Sequence, residues 1–258
     1  MQLDPMAAAR GVKLIVRDTI DSTNAEAWTL ARGGERGPLW IAAARQTAGR
    51  GRRGNTWISE PGNLYASLLL TDPSAPQRTA ELSFVAALAV HDAVVDVAPS
   101  LGSRLAVKWP NDLLIDGAKC AGILIEGGGP IVIIGIGVNC THHPAATPYP
   151  ATDLAAADTA VSPQRLLARL SKQMMVRLDQ WERGAGFASI RADWMARAMG
   201  LGQSIRVRLP QRELAGQFQT LDETGRLVLR LPDGSLETVS AGEIFALTES
   251  EQMLSTQG

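Results

Sequence analysis

Residues 131–138 read Ile-Val-Ile-Ile-Gly-Ile-Gly-Val, and this run is apolar on both faces of an extended chain. A strand with two apolar faces belongs in the interior of a sheet, because neighbouring layers then cover both of its surfaces. The run is far shorter than the roughly 18 apolar residues of a membrane span. It therefore predicts the central strand of a globular sheet.

Further strands are predicted on both sides of this run by short apolar or alternating segments. Asp116-Gly117 is typical of a hairpin turn, and it separates the candidate strands 112–115 and 120–126. Pro110-Asn111 ends a strand, because proline favours an exit from regular structure. The other candidate strands are 14–16, 39–44, 63–70 and 105–109.

Helices are predicted where apolar residues recur with helical spacing or where a capping residue begins a run. The segment 81–97 has this spacing and predicts an amphipathic helix. Ser162-Pro163 begins a helix that runs to about Arg183. Two shorter helices are predicted over 25–32 and 187–199, and the Ala-rich stretch 145–160 is predicted to be a loop.

The composition changes after about residue 200, where short alternating segments separated by turns replace the long apolar runs. Four or five short strands within about 50 residues are typical of a small β-barrel. We therefore predict an α+β fold with two domains: helices flank a mixed central β-sheet over 1–200, and a small barrel covers 201–258. The glutamates of the barrel are predicted to form a solvated face. Its candidate strands are 203–209, 214–220, 226–231 and 235–239.

The overall charge argues against nucleic acid and membrane surfaces as general partners. The 258 residues carry a net charge of −1, with a pI near 6.3, so no global field attracts anions. Cys120 and Cys140 lack metal-binding spacing, which favours a reducing cytoplasm over a secreted, disulfide-bonded protein. Residues 1–10 lack the apolar core of a signal peptide. Anion binding is therefore expected only at a local cluster.

Such a cluster lies at Gln46 to Asn55, which reads Gln-Thr-Ala-Gly-Arg-Gly-Arg-Arg-Gly-Asn. With Arg45, four arginines fall within nine residues, and the next acid along the chain is Glu60. Glycine lets backbone N–H groups approach a ligand, and arginine adds paired donors for phosphate or carboxylate. This pattern predicts an anion-binding loop.

Other loops share part of this composition. A solvated Arg-Gly loop of a nonspecific RNA binder remains open. A P-loop is not predicted, because no Gly-Lys-Ser or Gly-Lys-Thr ends the segment. A dinucleotide-binding fingerprint is not predicted either, because arginines stand where a helix would begin.

Together with four other segments, this loop resembles the biotin–protein ligase family in order and separation. The segments are Asp21-Ser22-Thr23-Asn24, Gly49 to Gly54 with Trp57, Val107-Lys108-Trp109-Pro110-Asn111-Asp112, Lys119 to Leu124, and Gly135-Ile136-Gly137-Val138-Asn139. The resemblance spans nearly the whole chain, and it implies a class II synthetase-like or lipoate-ligase-like catalytic domain followed by an SH3-like barrel. Asn55 and Cys120 depart from the common pattern without removing a group that the chemistry needs.

The resemblance implies a reaction in two steps. The biotin carboxylate attacks the α-phosphorus of ATP and gives biotinyl-5'-AMP and pyrophosphate. A lysine of a biotin carboxyl carrier protein, as in acetyl-CoA carboxylase, then attacks the acyl carbon and releases AMP. Mg²⁺ is expected to accompany ATP, although no carboxylate cluster predicts a metal site.

The resemblance also implies roles for individual residues. The implied catalytic residues are Lys119, Arg52 and Asp112. Those implied to bind biotin are Ser22, Thr23, Asn24, Gln46, Arg50, Gly51, Arg52 and Lys119. Those implied to bind ATP or the adenylate are Arg50, Arg52, Arg53, Trp57, Asn111, Lys119 and Asn139.

These assignments agree with what the reaction requires. Cations must offset a repulsion of several kcal/mol between two anions about 4 Å apart, at an effective dielectric near 20. Neutral polar side chains suit the ureido ring of biotin, whose buried donors and acceptor must be paired. A carrier lysine is only about 0.1% neutral near pH 7.4, so Asp112 is a candidate to accept or orient its proton. Residues 46–56 are expected to be mobile until a ligand orders them.

Ordinary structural roles stay open for the same residues. Asp21 to Asn24 has the composition of a helix cap. Trp57 could be a core aromatic residue beside Ile58, and Lys119 a solvated charge after a hairpin. Turn chemistry alone could account for Asn111 and Asn139.

Two other functions would use part of the same pattern. A lipoate–protein ligase shares the chemistry, but its apolar dithiolane does not need the neutral polar set. A non-enzymatic nucleic-acid-binding module would use the arginine loop and the barrel, and salt-sensitive binding to single strands would favour it. Only 20 residues precede Asp21, so a form without an N-terminal DNA-binding domain is expected. No DNA or membrane partner is expected, and a homodimer is possible through an exposed strand edge.

Overall fold

A seven-stranded mixed sheet forms the larger part of the computed structural model, which describes residues 1–145, 147, 149–157, 159–209 and 211–246. The strand order is β1-β2-β3-β7-β6-β5-β4; β1 and β2 are parallel, and all other neighbours are antiparallel. The central position of β7 confirms the prediction for residues 131–138. The strands are β1 (Lys13–Ile20), β2 (Leu39–Gln46), β3 (Leu64–Thr71), β4 (Leu105–Lys108), β5 (Asp112–Ile115), β6 (Ala118–Gly128) and β7 (Ile131–Val138).

Helices cover the two faces of this sheet unequally. Alternate residues of β2 enter two separate hydrophobic clusters: Leu39 and Ile41 pack with α2, whereas Trp40 and Ala42 pack with α3, α4 and α5. One short helix therefore covers part of the first face, and the strands beyond it stay open for a cleft. The helices are α1 (Pro5–Ala9), α2 (Thr23–Arg32), α3 (Leu82–Val97), α4 (Pro163–Trp181) and α5 (Phe187–Met195).

Two helix predictions were wrong in detail. The helix over 81–97 is not amphipathic, because α3 lies under α4 and α5 and is buried on most sides. The helix over 187–199 ends at Met195, because the following residues leave the helix and pair with β4. There the amide of Val107 donates to Arg197, and that of Met199 donates to Val107.

The C-terminal part forms a separate antiparallel sheet in the order β11-β10-β9-β8-β12. It contacts the first part through the turn at Gly225, whose carbonyl accepts a hydrogen bond from Trp109 Nε1 at 3.1 Å. The observed sheets and helices confirm the predicted α+β class; residues 247–258 lie outside the described part. The strands are β8 (Ser204–Arg208), β9 (Glu213–Leu221), β10 (Leu227–Arg230), β11 (Leu236–Val239) and β12 (Glu243–Ala246).

The described residues of 145–160 form neither helix nor strand, as predicted, and Ala146, Pro148 and Asp158 lie outside the description. Among the described residues no helix has both the length and the apolarity to cross a membrane.

Candidate active site

A row of residues across four strands forms the floor of a cleft on the α2 side of the sheet. Lys108 lies opposite Asp112, Asp112 opposite Gly122, and Gly122 opposite Gly137. Directly opposed residues of antiparallel strands project from the same face, so the row carries two charged side chains and two positions without side chains. Gly135 lies two residues before Gly137 and shares this face.

Two side chains lie in the space that these glycines leave. A Cβ added at Gly137 would lie 2.5 Å from Trp57 Nε1, and one at Gly122 would lie 2.9 Å from Trp57 Cζ3. A Cβ added at Gly135 would lie 2.3 Å from Asn24 Oδ1. Trp57 is half-buried against this floor, and Ile58 is 56% exposed, so Trp57 is a cleft residue rather than a core aromatic.

Neutral polar side chains line the end of the cleft beside the N-terminus of α2. Thr23 donates to Gln46 Oε1 from its backbone nitrogen at 2.8 Å and from Oγ1 at 3.1 Å. Gln46 Nε2 in turn donates to Ser59 Oγ at 2.9 Å. Ser67 Oγ lies 2.7 Å from Thr23 Oγ1 and 2.6 Å from Asn24 Oδ1. The amide of Gln46 is therefore held in one orientation.

Ser22 occupies the N-cap position of α2, but its side chain makes no capping hydrogen bond. The segment Asp21 to Asn24 therefore does begin a helix, as its composition predicted, but the Ser22 hydroxyl does not cap it. Ser22 is 4% exposed and belongs to the cleft lining.

The arginine loop lies over the cleft and is held mainly at its base. Thr47 and Ala48 donate backbone hydrogen bonds to Ile20 and Asp21 at the end of β1. The tip contains a short 3₁₀ turn at Arg52–Gly54, in which Arg53 has a φ of 57°. Gln46 belongs to β2, so the loop proper begins one residue later than predicted.

The arginines of the loop have partners that are remote in sequence. Arg50 Nη2 lies 3.2 Å from Glu126 Oε1, and Glu126 also accepts a hydrogen bond from Asn24 Nδ2 at 2.9 Å. Arg52 Nη1 donates to Asn111 Oδ1 at 2.8 Å. Burial lowers the pKa of Arg52, although the charges of Asp112 and Glu243 oppose this shift. Arg53 is exposed at the rim.

Lys119 lies at the middle of the cleft. Its Nζ forms an ion pair with Asp112 Oδ1 at 2.8 Å, and both side chains are 16% exposed. The same ammonium lies 5.6 Å from the ring centroid of Trp57 and 5.3 Å from that of Tyr149. Its backbone is hydrogen-bonded on both sides to the segment 150–152. Lys119 is therefore not a solvated charge on a hairpin.

All site residues predicted from the sequence line this cleft except Asn139. Asn139 is 4% exposed, and its Nδ2 donates to the carbonyl of Thr152 at 3.0 Å. It anchors the segment that flanks Lys119, and its assignment to the adenylate stays a prediction.

Lys108, Tyr149, Gly242 and Glu243 also line the cleft, and the sequence interpretation gave none of them a role. Lys108 stood within a quoted motif, but its charge was given no role. The prediction that the glutamates of the C-terminal part form a solvated face is wrong for Glu243, which lines the cleft and interacts with the charges of Arg52 and Lys108. Its strand β12 also brings Phe245 within 5.1 Å of the Lys108 ammonium, and no short sequence pattern predicts this long-range proximity.

The cleft thus has a neutral polar end, an aromatic wall and a cationic end. Such an arrangement fits a ligand with an uncharged polar head and an anionic tail, together with a phosphate group. Among the described residues, no group of three or more His, Cys, Asp or Glu side chains is placed to hold a metal ion.

Comparison with protein families gives two matches along the chain. The model of the biotin/lipoate A/B protein ligase family matches residues 16–139. The model of the biotin protein ligase C-terminal domain matches residues 200–247.

Individual relatives extend this similarity to almost the whole chain. A biotin–[acetyl-CoA-carboxylase] ligase of Paracoccus denitrificans is 42% identical over 240 residues, which cover 87% of this chain and 97% of that protein. The biotin protein ligase of Aquifex aeolicus, solved in complex with biotin and ATP, is 25% identical with a TM-score of 0.78, covering 90% of this chain and 97% of that one. The Leishmania major biotin protein ligase, solved with biotinyl-5-AMP, is 27% identical with a TM-score of 0.65, covering 89% and 99%.

Proposed function

Since the chain belongs to the family of biotin–protein ligases, we propose that its cleft joins biotin to ATP and transfers the biotinyl group to a carrier lysine. The reaction is an ATP-dependent ligation through biotinyl-5'-AMP, with pyrophosphate and AMP as products. The observation that carries the proposal is one cleft with a neutral polar end at Thr23 and Gln46 and a cationic centre at Lys119.

The neutral end suits the ureido ring of biotin. Thr23, Asn24 and Gln46 supply hydroxyl and amide groups that donate and accept, and their mutual hydrogen bonds fix their orientation. A buried ureido group left without partners would cost about 1–3 kcal/mol per group, so a fixed set discriminates strongly against an apolar ring. This set favours biotin over lipoate.

Adenylation needs positive charge where the carboxylate meets the α-phosphate. We assign this role to Lys119, with Arg50 and Arg52 of the loop beside it. The Lys119 backbone is hydrogen-bonded on both sides, and its ammonium is paired with Asp112, so its charge is placed before the substrates react. Trp57, on the glycine floor, forms the wall for the acyl chain and the nucleotide.

Mg²⁺ is proposed to enter with ATP. The cleft offers the separated carboxylates Asp112 and Glu243 in place of a ligand cluster. A hard cation with few protein ligands keeps water and phosphate oxygens around it, which is usual for magnesium at nucleotide sites. Its charge would offset that of the triphosphate.

Asp112 is proposed to accept or orient the proton of the attacking carrier lysine. The Asp112→Ala variant should slow transfer from preformed biotinyl-5'-AMP more than it slows adenylate formation, by about 10²-fold in transfer. Single-turnover rates of the two half-reactions measure this split. The Asp112→Asn variant is the control for shape, because it keeps the volume and loses the charge. Equal slowing of both steps would contradict the role, since Asp112 would then act only by positioning Lys119.

The loop tip is proposed to close over the adenylate and exclude water. Hydrogen exchange of amides 50–56 should be fast without ligand and slow with biotin and ATP, because the tip has few anchors of its own. Thr47 and Ala48 are internal controls, since their amides are already bonded to the end of β1. Full protection of amides 50–56 in the ligand-free protein would contradict this prediction.

The proposed partner is a biotin carboxyl carrier domain, as in acetyl-CoA carboxylase. We propose action in the cytoplasm, where ATP is abundant and where free buried thiols such as Cys120 and Cys140 persist. The division into domains 1–200 and 201–258 stays a proposal, supported by the separate C-terminal sheet. Dimerisation through β1 also stays a proposal, supported by its edge position and exposed side chains.

The decisive experiment incubates the protein with ATP, Mg²⁺ and labelled biotin, with and without a carrier domain, and with lipoate in parallel. We expect an acid-labile biotinyl adenylate that passes its label to the carrier lysine. Transfer of lipoate but not biotin would keep the fold and replace the substrate. Inactivity with both, combined with salt-sensitive binding to single-stranded nucleic acid, would favour a binding module instead.

A further inference from the structure

Lys108 is a buried cation that the chemistry described so far does not use. It is 9% exposed at the end of β4, and it lines the cleft. Within the described part of the chain, no carboxylate comes within ion-pair distance of its ammonium. Two aromatic rings lie close to it: Nζ is 5.1 Å from the ring centroid of Phe245 and 6.0 Å from that of Tyr149.

Lys108 differs from Lys119 in having no carboxylate at ion-pair distance within the described part of the chain. Lys119 is paired with Asp112 at 2.8 Å, whereas Lys108 interacts with Asp112 and Glu243 only at longer range. Burial lowers the pKa of Lys108, which means that its charged form lacks full compensation. A buried ammonium without a partner is unfavourable unless a ligand supplies the opposite charge.

The position of Lys108 along the floor suggests which anion this is. The row runs Gly137, Gly122, Asp112, Lys108, and one strand spacing of about 4.8 Å separates each pair. The neutral polar end lies on the Gly137 side, and Lys119 lies beside Asp112. Lys108 is therefore one step beyond Lys119, on the side away from the neutral end.

We propose that Lys108 binds the pyrophosphate portion of ATP and stabilises it as the leaving group of adenylation. This role rests on the proposed ligase function. A carboxylate oxygen of biotin forms a bond to the α-phosphorus. The bond from that phosphorus to the bridging oxygen of the β-phosphate breaks, and the electron pair stays on pyrophosphate without any proton transfer. Nucleophile and leaving group lie in line, so a carboxylate arriving from the neutral end expels pyrophosphate toward Lys108.

The C-terminal part supplies two residues near Lys108. Phe245 and Glu243 both belong to β12. The ring centroid of Phe245 lies 5.1 Å from Lys108 Nζ, and Glu243 interacts with the lysine charge at longer range. The face of Phe245 shields the ammonium from water, which strengthens its attraction for a phosphate oxygen. The charges of Asp112 and Glu243 oppose the lowering of the Lys108 pKa by burial.

The first test separates the two half-reactions in the Lys108→Met variant. We expect adenylate formation from ATP and biotin to fall about 100-fold, with a higher KM for ATP and weaker inhibition by added pyrophosphate. Transfer from supplied biotinyl-5'-AMP to a carrier domain should stay within about twofold, because no pyrophosphate takes part. Lys108→Arg should recover part of the adenylation rate, and Lys13→Met on the exposed β1 edge should change neither step.

Three results would overturn the proposal. Equal loss of both half-reactions would mean that Lys108 only supports Asp112 and Lys119. Selective loss of transfer would make it a proton acceptor for the carrier lysine. Unchanged inhibition by pyrophosphate in Lys108→Met would place the leaving group elsewhere. If the wild-type protein forms no adenylate, the proposed ligase function itself has failed, which is a separate outcome.

A second measurement uses the wild-type protein and does not depend on how the variant folds. Amine-selective labelling followed by mass spectrometry reports the accessibility of each lysine. Pyrophosphate with Mg²⁺ should protect Lys108 and leave Lys13 unchanged, whereas AMP should leave Lys108 reactive. Equal labelling of Lys108 with and without pyrophosphate would overturn the proposal.

Discussion

The Lys119→Ala variant should form biotinyl-5'-AMP about 10³-fold more slowly than the wild-type protein, because it lacks the cation at the centre of the cleft. The Lys119 ammonium lies 2.8 Å from Asp112 Oδ1 and 5.6 Å from the ring centroid of Trp57. The Lys119 backbone is hydrogen-bonded to Pro150 and Thr152, and the ammonium is held by the ion pair with Asp112. The loss should appear mainly in the rate of adenylate formation rather than in biotin affinity, since the developing charge is what needs the cation.

Single-turnover adenylation with labelled biotin measures this effect, and biotin affinity is measured separately by calorimetry. Removing Lys119 leaves Asp112 buried without its partner, so the melting temperature of each variant is compared first. The Lys119→Ala, Asp112→Ala double variant removes both charges and controls for that penalty. Adenylation within about tenfold of wild type in a folded Lys119→Ala variant would remove Lys119 from the chemistry.

The Gly135→Ala variant should raise the Kd for biotin about 10²-fold while the protein stays folded. The added methyl group would lie 2.3 Å from Asn24 Oδ1 and 2.9 Å from its Cγ, so the whole amide must move. That amide is held by Ser67 at 2.6 Å and by Glu126 at 2.9 Å. A displacement of about 1 Å at a recognition group can cost this much, because the ureido partners no longer meet their acceptors.

Gly127→Ala is the matched control for this prediction. Gly127 lies on the neighbouring strand β6, and an added Cβ there would make ordinary contacts of 3.5 Å or more. Equal weakening of biotin binding in both variants would show a general effect on the sheet. A double variant, Asn24→Ala with Gly135→Ala, should bind biotin no worse than Asn24→Ala alone, since the clashing amide is absent.

Periodicity and turn chemistry predicted most of the fold. The buried run 131–138, the Asp116-Gly117 turn and the Ser162 cap each depend on interactions within a few residues, and the structure contains all three. The end of α5 depends on long-range pairing with Val107, and the complete burial of α3 depends on helices that pack over it. Local patterns do not encode either effect, so those two predictions failed.

The candidate site likewise contains residues that the sequence predicted and residues that only the tertiary structure brings together. The motifs predicted that Thr23, Gln46, Arg52 and Lys119 belong to one site, and the structure places all four in one cleft. Partners that come from distant strands were not predictable, and Glu126 is an example: it ties Asn24 to Arg50 from β6. The same holds for Lys108, whose lack of a carboxylate partner within the described chain becomes visible only when every neighbour is known.

By itself, the sequence determined the family, most of the strands and helices, and the chemical types of the residues that line the cleft. These properties follow from side-chain alternation, capping and motif spacing, all of which act over short stretches of chain. Only the tertiary structure decided which buried charges have a partner of opposite charge, as Lys119 does, and which lack one, as Lys108 does within the described part of the chain. Whether a buried charge has a partner of opposite sign depends on distances of a few ångströms between segments far apart in sequence. Those distances set both the Coulomb energy and the burial of the charge.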